Sequence, residues 1–299
     1  MANIFLKNVH VINLERSKDR LQHIDANLKK FGIKYQRFNA VDGNKLSMDD
    51  IDKNVTTMCR YMLCTKPIIG CSMSHLSLWK QIAKSPDKWH LILEDDGELT
   101  DETINFFNDL ANSSLINDDD IIISLTCNSI CEGPSINIPV KSETDNAMNN
   151  LLVKPMFPSG FAAYLITKNT AKKIYDFVSK NKINYYPDLQ IIWNISKIGI
   201  KYYATRDHVV KLSEDRNNST LGSKSLPLLY NFLSTIGFSK LAWHLTSPIV
   251  ALNLSIPINA YVLIFLVLLA LNFFILGSVL IYLYLLLELA LFIMVSLTN

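Results

Sequence analysis

Three consecutive carboxylates, Glu94, Asp95 and Asp96, follow the apolar residues 91–93 and precede Gly97. This pattern predicts a short buried strand that ends at the acids. Burying an isolated carboxylate is costly, so acids at the end of an apolar strand usually lie in a solvated cleft or hold a cation. Open α/β sheets also bind their ligands at the C-terminal ends of their strands. The stretch therefore predicts a metal and nucleotide site, and a solvated strand end is the alternative interpretation.

Two further residues have the chemistry for such a site but an ambiguous setting. Asp188 follows Pro187 at the predicted start of a helix, where an aspartate commonly serves as the N-cap. A catalytic role is the alternative, and the spacing alone does not separate the two. His75 lies among apolar residues on another predicted helix, where a histidine is more often a satisfied core residue than a ligand.

The elements that position these residues alternate between strands and helices. Strand patterns occur at 9–14, 35–41, 91–93, 118–125 and 160–167, and helical spacing at 21–31, 70–82, 103–110 and 170–178. Such alternation predicts an α/β fold with a parallel sheet and flanking helices. Residues 44–66 give no clear pattern. Residues 127–150 are rich in Asn, Ser, Pro and Glu, and they predict a mobile loop of the kind that covers a substrate site.

The C-terminal part has a different composition. Between residues 256 and 297 the only charged residue is Glu288. Because about 20 apolar residues are enough to cross a bilayer, this run predicts a transmembrane helical hairpin, with one long tilted helix as the alternative. Residues 226–255 predict a helix on the membrane surface or the last helix of the polar domain. The expected organisation is a polar domain over 1–225, a linker over 226–255 and membrane segments over 256–297.

Charge and cysteine content narrow the partners and the expected compartment. With 29 basic and 27 acidic residues, the chain has a net charge of +2, which gives no indication of nucleic-acid binding. Polar residues interrupt the apolar patch at 4–14, so no secretory signal is predicted. Five cysteines without metal-type spacing favour a reducing compartment. We therefore expect the polar domain at the cytoplasmic face of the plasma membrane, anchored through the C-terminus.

Several short motifs, taken together and in this order, resemble glycosyltransferase family 25, which includes lipooligosaccharide and collagen-modifying galactosyltransferases. Each motif alone is weak, but their common order makes the resemblance strong. They cover roughly residues 9–221 and are Val11-Ile12-Asn13-Leu14 with Arg16 and Arg20, Phe38-Asn39-Ala40-Val41-Asp42-Gly43, Gly70-Cys71 with Ser74-His75 and Trp79, Leu93-Glu94-Asp95-Asp96, Gly160 with Ala163-Tyr164, Pro187-Asp188, and Ser219-Thr220-Leu221.

The resemblance implies a GT-A type nucleotide-sugar-binding sheet, a UDP-sugar donor, a divalent metal such as manganese, and inversion at the anomeric carbon. It also implies site roles. Asp96 would hold the metal, Glu94 would contact the ribose or the metal, and Asp95 would either point away or contact the residues that bind the metal. Asp188 would act as the catalytic base. The residues expected around the uracil or the diphosphate are Asn13, Arg16, Arg20, Ala40, Asp42, Gly43 and, less directly, His75.

These expectations combine into a membrane-tethered, metal-dependent transferase that adds a hexose, expected to be galactose, to a lipid-linked oligosaccharide such as lipooligosaccharide. One alternative is a noncatalytic membrane protein that uses the same fold to bind or assemble glycans. A hydrolase acting on the sugar nucleotide is another. Two departures from the family pattern matter: the apolar tail lies outside the shared domain, and Gly97 replaces an apolar residue. We expect the glycine to loosen the turn after the acids.

Overall fold

The computed structural model describes residues 3–57, 59–126, 134–155, 160–213, 248–250 and 258–298. The chain divides into two compact units. The first consists of Met1–Asp42, Gly70–Asn181 and Tyr186–Ser219, and the second of Gly43–Ile69, Lys182–Tyr185 and Thr220–Asn299.

The first unit is organised around a mixed sheet with the strand order β2-β1-β3-β7-β5-β8-β6. Strand β1 is parallel to both β2 and β3, and β5 is parallel to β8, whereas β7 runs antiparallel to β3 and β5. The predicted α/β fold is confirmed, but the sheet is not wholly parallel, since β7 and the edge strand β6 are reversed. The strands of this unit are β1 (Val9–Asn13), β2 (Gln36–Asn39), β3 (Trp89–Glu94), β4 (Gly97–Leu99), β5 (Ile121–Ser124), β6 (Leu152–Val153), β7 (Ala163–Thr167), β8 (Lys201–Thr205) and β9 (Val210–Leu212).

Helices cover both faces of this sheet because its strands carry apolar side chains on both sides. On one face Leu91, Leu93 and Leu165 belong to a core with residues of α2 and α5. On the other face, side chains of α4 contact Tyr164 of β7. The helices are α1 (Asn3–Leu6), α2 (Lys18–Lys30), α3 (Met48–Asn54, in the second unit), α4 (Lys66–Ile82, from Gly70 in the first unit), α5 (Asp101–Asn112), α6 (Glu143–Leu151), α7 (Lys168–Asn181), α8 (Pro187–Ile192) and α9 (Ile195–Ile198).

The loop predicted over 127–150 is wrong in its last part, because residues from Glu143 onward form α6. Ser142 caps this helix by accepting a hydrogen bond from the backbone N–H of Asp145, and Met148 is buried in the core. The side chain of Asn149 pairs with both backbone groups of Ile138. Polar composition therefore concealed a capped helix. Residues 127–133 lie outside the described residues.

The second unit contains α3, the π-helical turn Cys59–Leu63 and a disulfide between Cys59 and Cys64. This disulfide is contrary to the reducing compartment that the cysteine pattern favoured. Gly43 also belongs to this unit. A Cβ atom at Gly43 would collide with the backbone carbonyl of Lys66, so only glycine fits this close approach.

The apolar C-terminal run forms strand β11 (Ile258–Asn259) and two helices, α10 (Ala260–Leu271) and α11 (Val279–Thr298). A π-helical turn and the left-handed Gly277 separate the helices, and the Asn272 side chain bonds both backbone groups of Ser278. The sequence therefore stays mostly apolar across residues 272–278, although the α-helix is interrupted there. In the part of the chain that the structure describes, no helix combines the length and apolarity needed to cross a bilayer.

The predicted anchoring through the C-terminus, and the cytoplasmic-face location that depended on it, are therefore wrong. The helical hairpin predicted over 256–297 is likewise not found as a pair of membrane spans among the described residues. Of the predicted interfacial segment 226–255, only residues 248–250 are described. They form β10 (Pro248–Val250), which pairs antiparallel with β11.

Candidate active site

Three neighbouring parallel strands end at the same edge of the sheet and bring predicted site residues there. Asn13 ends β1, Ala40 follows β2, and Glu94 ends β3. The backbone N–H of Ala40 donates to the carbonyl oxygen of Asn13 at 3.0 Å, and that of Glu94 donates to Ala162, just before antiparallel β7, at 2.7 Å. The C-terminal edge expected from the sequence is therefore where these residues lie.

The chain turns sharply after Glu94. Asp95 and Asp96 form the turn, and Gly97 begins β4, which pairs with β9. A Cβ atom at Gly97 would lie only 3.1 Å from the carbonyl oxygen of Ala162, which is tighter than ordinary contact. The expectation that Gly97 loosens the turn is therefore wrong: glycine lets the chain pack closely against the start of β7. Because Asp95 and Asp96 form a turn, Glu94 and Asp96 do not lie on one extended strand, in which residues two apart point to the same side.

Asp95 is held by two of the predicted nucleotide-site residues. Its two carboxylate oxygens accept hydrogen bonds from the Asn13 side chain at 2.7 Å and from the Arg20 guanidinium at 3.2 Å. Burial raises the pKa of Asp95, and these two donors oppose the rise. Arg37 completes the arrangement by donating to the Asn13 side-chain oxygen at 3.0 Å. Arg37 had no predicted role because it lies within strand β2, outside the family-like motifs.

Arg16 and Asp42 form an ion pair at the same edge. The adjacent residue Val41 donates its backbone N–H to the Ser74 hydroxyl at 2.8 Å, and that hydroxyl donates to the carbonyl oxygen of Gly70 at 2.7 Å. These bonds join the segment after β2 to helix α4. Gly43, predicted for the same pocket, belongs to the second unit.

A second cluster forms around Glu94. Cys71, His75 and Trp79 are four residues apart on α4 and therefore share one face of that helix. The His75 Nε2 atom lies 3.0 Å from Oε1 of Glu94, and the Cys71 Sγ atom lies 3.9 Å from the same oxygen. Tyr164 faces the same side of the sheet as Glu94, because Ile92 pairs with Tyr164 and side chains alternate along a strand.

The hydroxyl of Tyr164 connects His75 to Trp79 inside the protein. It lies 2.9 Å from His75 Nδ1 and 2.9 Å from Trp79 Nε1, and all three side chains are buried. An indole N–H can only donate, so the Tyr164 oxygen accepts from Trp79 and can donate its own hydrogen to Nδ1 of His75. In that tautomer the Nε2–H of His75 donates to Glu94. This chain of hydrogen bonds from Trp79 through Tyr164 and His75, called the relay below, holds the Glu94 carboxylate in one orientation.

Asp188 lies in the first turn of α8, and Tyr186 occupies the N-cap position. The simple N-cap interpretation of Asp188 therefore does not hold. The pKa of Asp188 is raised to about 6, chiefly by burial and in part by the negative charge of Glu94. The backbone N–H of Leu189 and the nearby His75 act in the opposite direction.

The raised pKa of the Cys71 thiol shows that several negative charges lie near it. Burial raises its pKa well above the usual value, and Glu94, Asp188 and Asp96 raise it further, in that order. Three carboxylates, one at the end of β3, one in the turn after it and one on α8, therefore lie close enough to act on the Cys71 thiol. Such a concentration of negative charge is stable when a cation or a proton is shared among the acids.

Two ligand sets in this region have donors suited to a metal ion. Glu94 and Asp96, the pair predicted to hold the metal, offer carboxylate oxygens, which suit hard ions such as Mn²⁺ and Mg²⁺. The structure also brings together Cys71, His75 and Glu94, whose donor atoms all lie within 4.8 Å of one another. The sequence indicated Cys71 and Tyr164 only as parts of motifs. The four-residue steps from Cys71 to His75 and from His75 to Trp79 were the signal that these side chains share one helix face.

A mixed α/β sheet with acids at the C-terminal edge of its parallel strands fits a glycosyltransferase-like domain. Residues 6–191 match the family described as "Glycosyltransferase family 25 (LPS biosynthesis protein)". This match covers more than half of the chain, which therefore belongs to glycosyltransferase family 25.

Similar proteins agree with this family. A "Glycosyltransferase 25 family member" of Drosophila pseudoobscura pseudoobscura is 31% identical over 102 residues, covering 32% of this chain and 16% of that protein. "Procollagen galactosyltransferase 2" of Mus musculus is 30% identical over 95 residues, covering 29% and 15%. "Procollagen lysyl hydroxylase and glycosyltransferase" of Acanthamoeba polyphaga mimivirus is 26% identical over 247 residues, covering 72% and 26%. The alignments span between about a seventh and a quarter of these relatives. Family membership and these relatives support a glycosyltransferase.

Proposed function

We propose that this chain transfers a hexose, specifically galactose, from a UDP-sugar to a lipid-linked oligosaccharide such as lipooligosaccharide, with inversion and with a requirement for a divalent metal. The observation that carries the proposal is a group of three carboxylates near the Cys71 thiol, at the C-terminal edge of the sheet. They belong to Glu94, Asp96 and Asp188. The galactosyltransferase among the similar proteins and the lipopolysaccharide wording of the family description support the sugar and the acceptor class.

The donor side of this reaction needs positive charge near a diphosphate. Arg16 and Arg20 lie at the edge and are held there by Asp42 and Asp95. Their guanidinium groups, with side chains 47% and 31% exposed, remain accessible for charge-assisted bonds to phosphate oxygens. Asn13 and Ala40 would line the nucleotide pocket beside them. The ion pairs fix the arginines before the donor binds, which limits the side-chain entropy lost on binding.

Glu94 and Asp96 would hold the divalent metal, for which Mn²⁺ is the expected ion. When bound, such an ion supplies positive charge to the diphosphate leaving group. The contribution of the protein is to hold the ligands in place: the His75 contact fixes Glu94, and the tight packing of Gly97 fixes the turn that carries Asp96. Preorganised charges of this kind act without reorganisation during the reaction.

Asp188 is the proposed general base. As the acceptor hydroxyl attacks the anomeric carbon opposite the departing UDP, its proton passes to the Asp188 carboxylate. With a pKa of about 6, Asp188 is ionised at neutral pH and binds a proton more readily than an ordinary aspartate. Part of this raised pKa comes from the negative charge of Glu94 nearby.

The test is release of UDP by the full chain from a panel of UDP-hexoses, with and without Mn²⁺ and with a lipid-oligosaccharide acceptor. Glu94→Gln and Asp188→Asn should each abolish acceptor-stimulated release. Asp176→Asn, a neutralisation of a half-exposed aspartate on α7, should retain it. Release at full rate without any acceptor would indicate a hydrolase instead. Binding of UDP or glycan without turnover of any donor would indicate a noncatalytic module.

A further inference from the structure

Cys71, His75 and Glu94 form a compact group of sulfur, nitrogen and oxygen donors. Helix α4 places Cys71 and His75 one turn apart, and the end of β3 brings Glu94 against both. The three donor atoms lie within 4.8 Å of one another. In a tetrahedral site with bond lengths of about 2.0–2.3 Å, ligand atoms are separated by roughly 3.5 Å, so small side-chain rotations suffice.

The donor types favour a different ion from the one proposed for Glu94 and Asp96. Thiolate and imidazole ligands suit zinc and other soft or borderline cations, whereas Mn²⁺ and Mg²⁺ favour oxygen ligands. Negative charge from Asp96 and Asp188 reaches the same point and favours any divalent cation there.

The surroundings of His75 match those of a metal-binding histidine. A histidine that ligates through one ring nitrogen usually donates the other N–H to a fixed partner. Here Nδ1 of His75 faces the Tyr164 hydroxyl at 2.9 Å, and Trp79 Nε1 lies 2.9 Å from that hydroxyl. A phenol oxygen can accept as well as donate, so it can support the tautomer in which Nδ1 carries the proton and Nε2 is free for a cation.

We propose that Cys71, His75 and Glu94 bind a thiophilic divalent cation of the zinc class, and that this cation inhibits the enzyme by taking Glu94 from the oxygen-ligand site. Binding forms a sulfur–metal bond as the Cys71 thiol loses its proton to solvent. The single proton of neutral His75 moves from Nε2 to Nδ1, so one proton is released for each cation bound. The inhibition rests on the proposed function, whereas the binding does not.

Titration of the full-length chain with Co²⁺ tests the binding directly, since cobalt replaces zinc and reports its ligands by absorption. We expect one Co²⁺ per chain, a thiolate-to-cobalt charge-transfer band, and loss of the band when one equivalent of Zn²⁺ is added. In Cys71→Ser the band should disappear and the Co²⁺ affinity should fall at least tenfold. His75→Asn should weaken binding similarly, whereas the matched control His23→Asn, at an exposed histidine on α2, should not.

Circular dichroism identifies variants that have unfolded. If Cys71→Ser is unfolded, Cys71→Ala serves as a second variant without the thiol. Absence of a thiolate band in the wild type, or its persistence in a folded Cys71 variant, overturns the proposal. If the band is present and transfer is measurable, Zn²⁺ should inhibit the wild type at least tenfold more strongly than Cys71→Ser. Equal inhibition of the two contradicts the regulatory part. A band without any transferase activity leaves the cation site standing and removes the proposed function.

Discussion

Strand β3 has a buried histidine contact at each of its two ends, and the two contacts differ in their partners. At the start, His90 Nδ1 lies 3.1 Å from Nε2 of His10 on β1, and the two rings are stacked with centroids 5.3 Å apart. At the other end, His75 contacts the carboxylate of Glu94 at 3.0 Å. One histidine pairs with another base and the other with an acid.

The partners give the two ends opposite electrostatics. Burial lowers the pKa of His10 to about 4, and His90 adds to the lowering, so neither ring gains by carrying charge. At the C-terminal end the acids dominate, and burial together with Glu94 raises the pKa of Asp188 to about 6. The start of β3 thus holds a neutral histidine pair, and acids gather at its other end. We infer that the first contact stabilises the fold and that the second prepares the site.

The largest expected effect of a substitution is at the acidic end. Asp188→Asn should lower kcat by about 10²- to 10⁴-fold, the usual contribution of a general base. Above pH 6 the same change should leave the free energy of unfolding unchanged or raise it, because a buried charge is replaced by a neutral amide. Steady-state kinetics and urea denaturation at pH 8 measure the two. Retention of kcat would remove Asp188 from the mechanism.

At the neutral end the effect should be on stability. Below pH 6.5 the unfolded chain binds a proton at His10 that the folded chain resists down to about pH 4, so stability falls as the pH falls through this window. The loss attributable to His10 is about 3 kcal/mol. Urea denaturation at pH 7.5 and 4.5 should show a larger loss for the wild type than for His10→Leu. Other acids contribute to both proteins, so equal losses would contradict this role.

The Tyr164 hydroxyl separates packing from positioning at the acidic end. Tyr164→Phe leaves the buried Trp79 N–H without its acceptor and should lower the free energy of unfolding by about 1–3 kcal/mol. It should also lower kcat by roughly tenfold, because His75 no longer holds Glu94 in one direction. Tyr61→Phe, at an exposed tyrosine, should change neither quantity appreciably. Loss of stability with full kcat would confine the relay to a structural role.

The pH dependence of kcat gives a further test of Asp188. Since Asp188 accepts a proton only when ionised, kcat should fall about tenfold per pH unit below about pH 6. A bound cation would favour the ionised form and move this limb to lower pH. Measurements between pH 4.5 and 8, at two metal concentrations, test both statements. A flat profile across this range would show that proton transfer to Asp188 does not limit the rate.

The two ends of β3 were not equally readable in the sequence. Consecutive acids after an apolar run predict a strand end whatever surrounds them, because burying three carboxylates is too costly. His10 and His90 gave no such signal, since a histidine is tolerated inside or outside and their contact depends on the parallel pairing of β1 with β3. The acidic end of β3 could therefore be predicted from the sequence, but the contact between His10 and His90 could not.

The largest error came from the C-terminal run, where apolar composition was interpreted as a pair of membrane-crossing helices. Hydropathy sums over residues and does not show that α10 ends after 12 residues, before the π-helical turn and the left-handed Gly277. Likewise, α6 was missed because its caps are polar residues that also occur in loops. Local hydrogen bonds decided both segments, and composition does not encode them.

The sequence by itself determined the main strands and helices, the acidic end of β3, the family and most of the residues of the candidate site, because these follow from periodicity and from motif order. Only the tertiary structure decided which partners each of the consecutive acids contacts. It turned Asp95 toward Asn13 and Arg20, and joined Glu94 to Cys71 and His75. Side-chain direction after a tight turn depends on contacts from residues distant in sequence, and those contacts exist only once the sheet has formed.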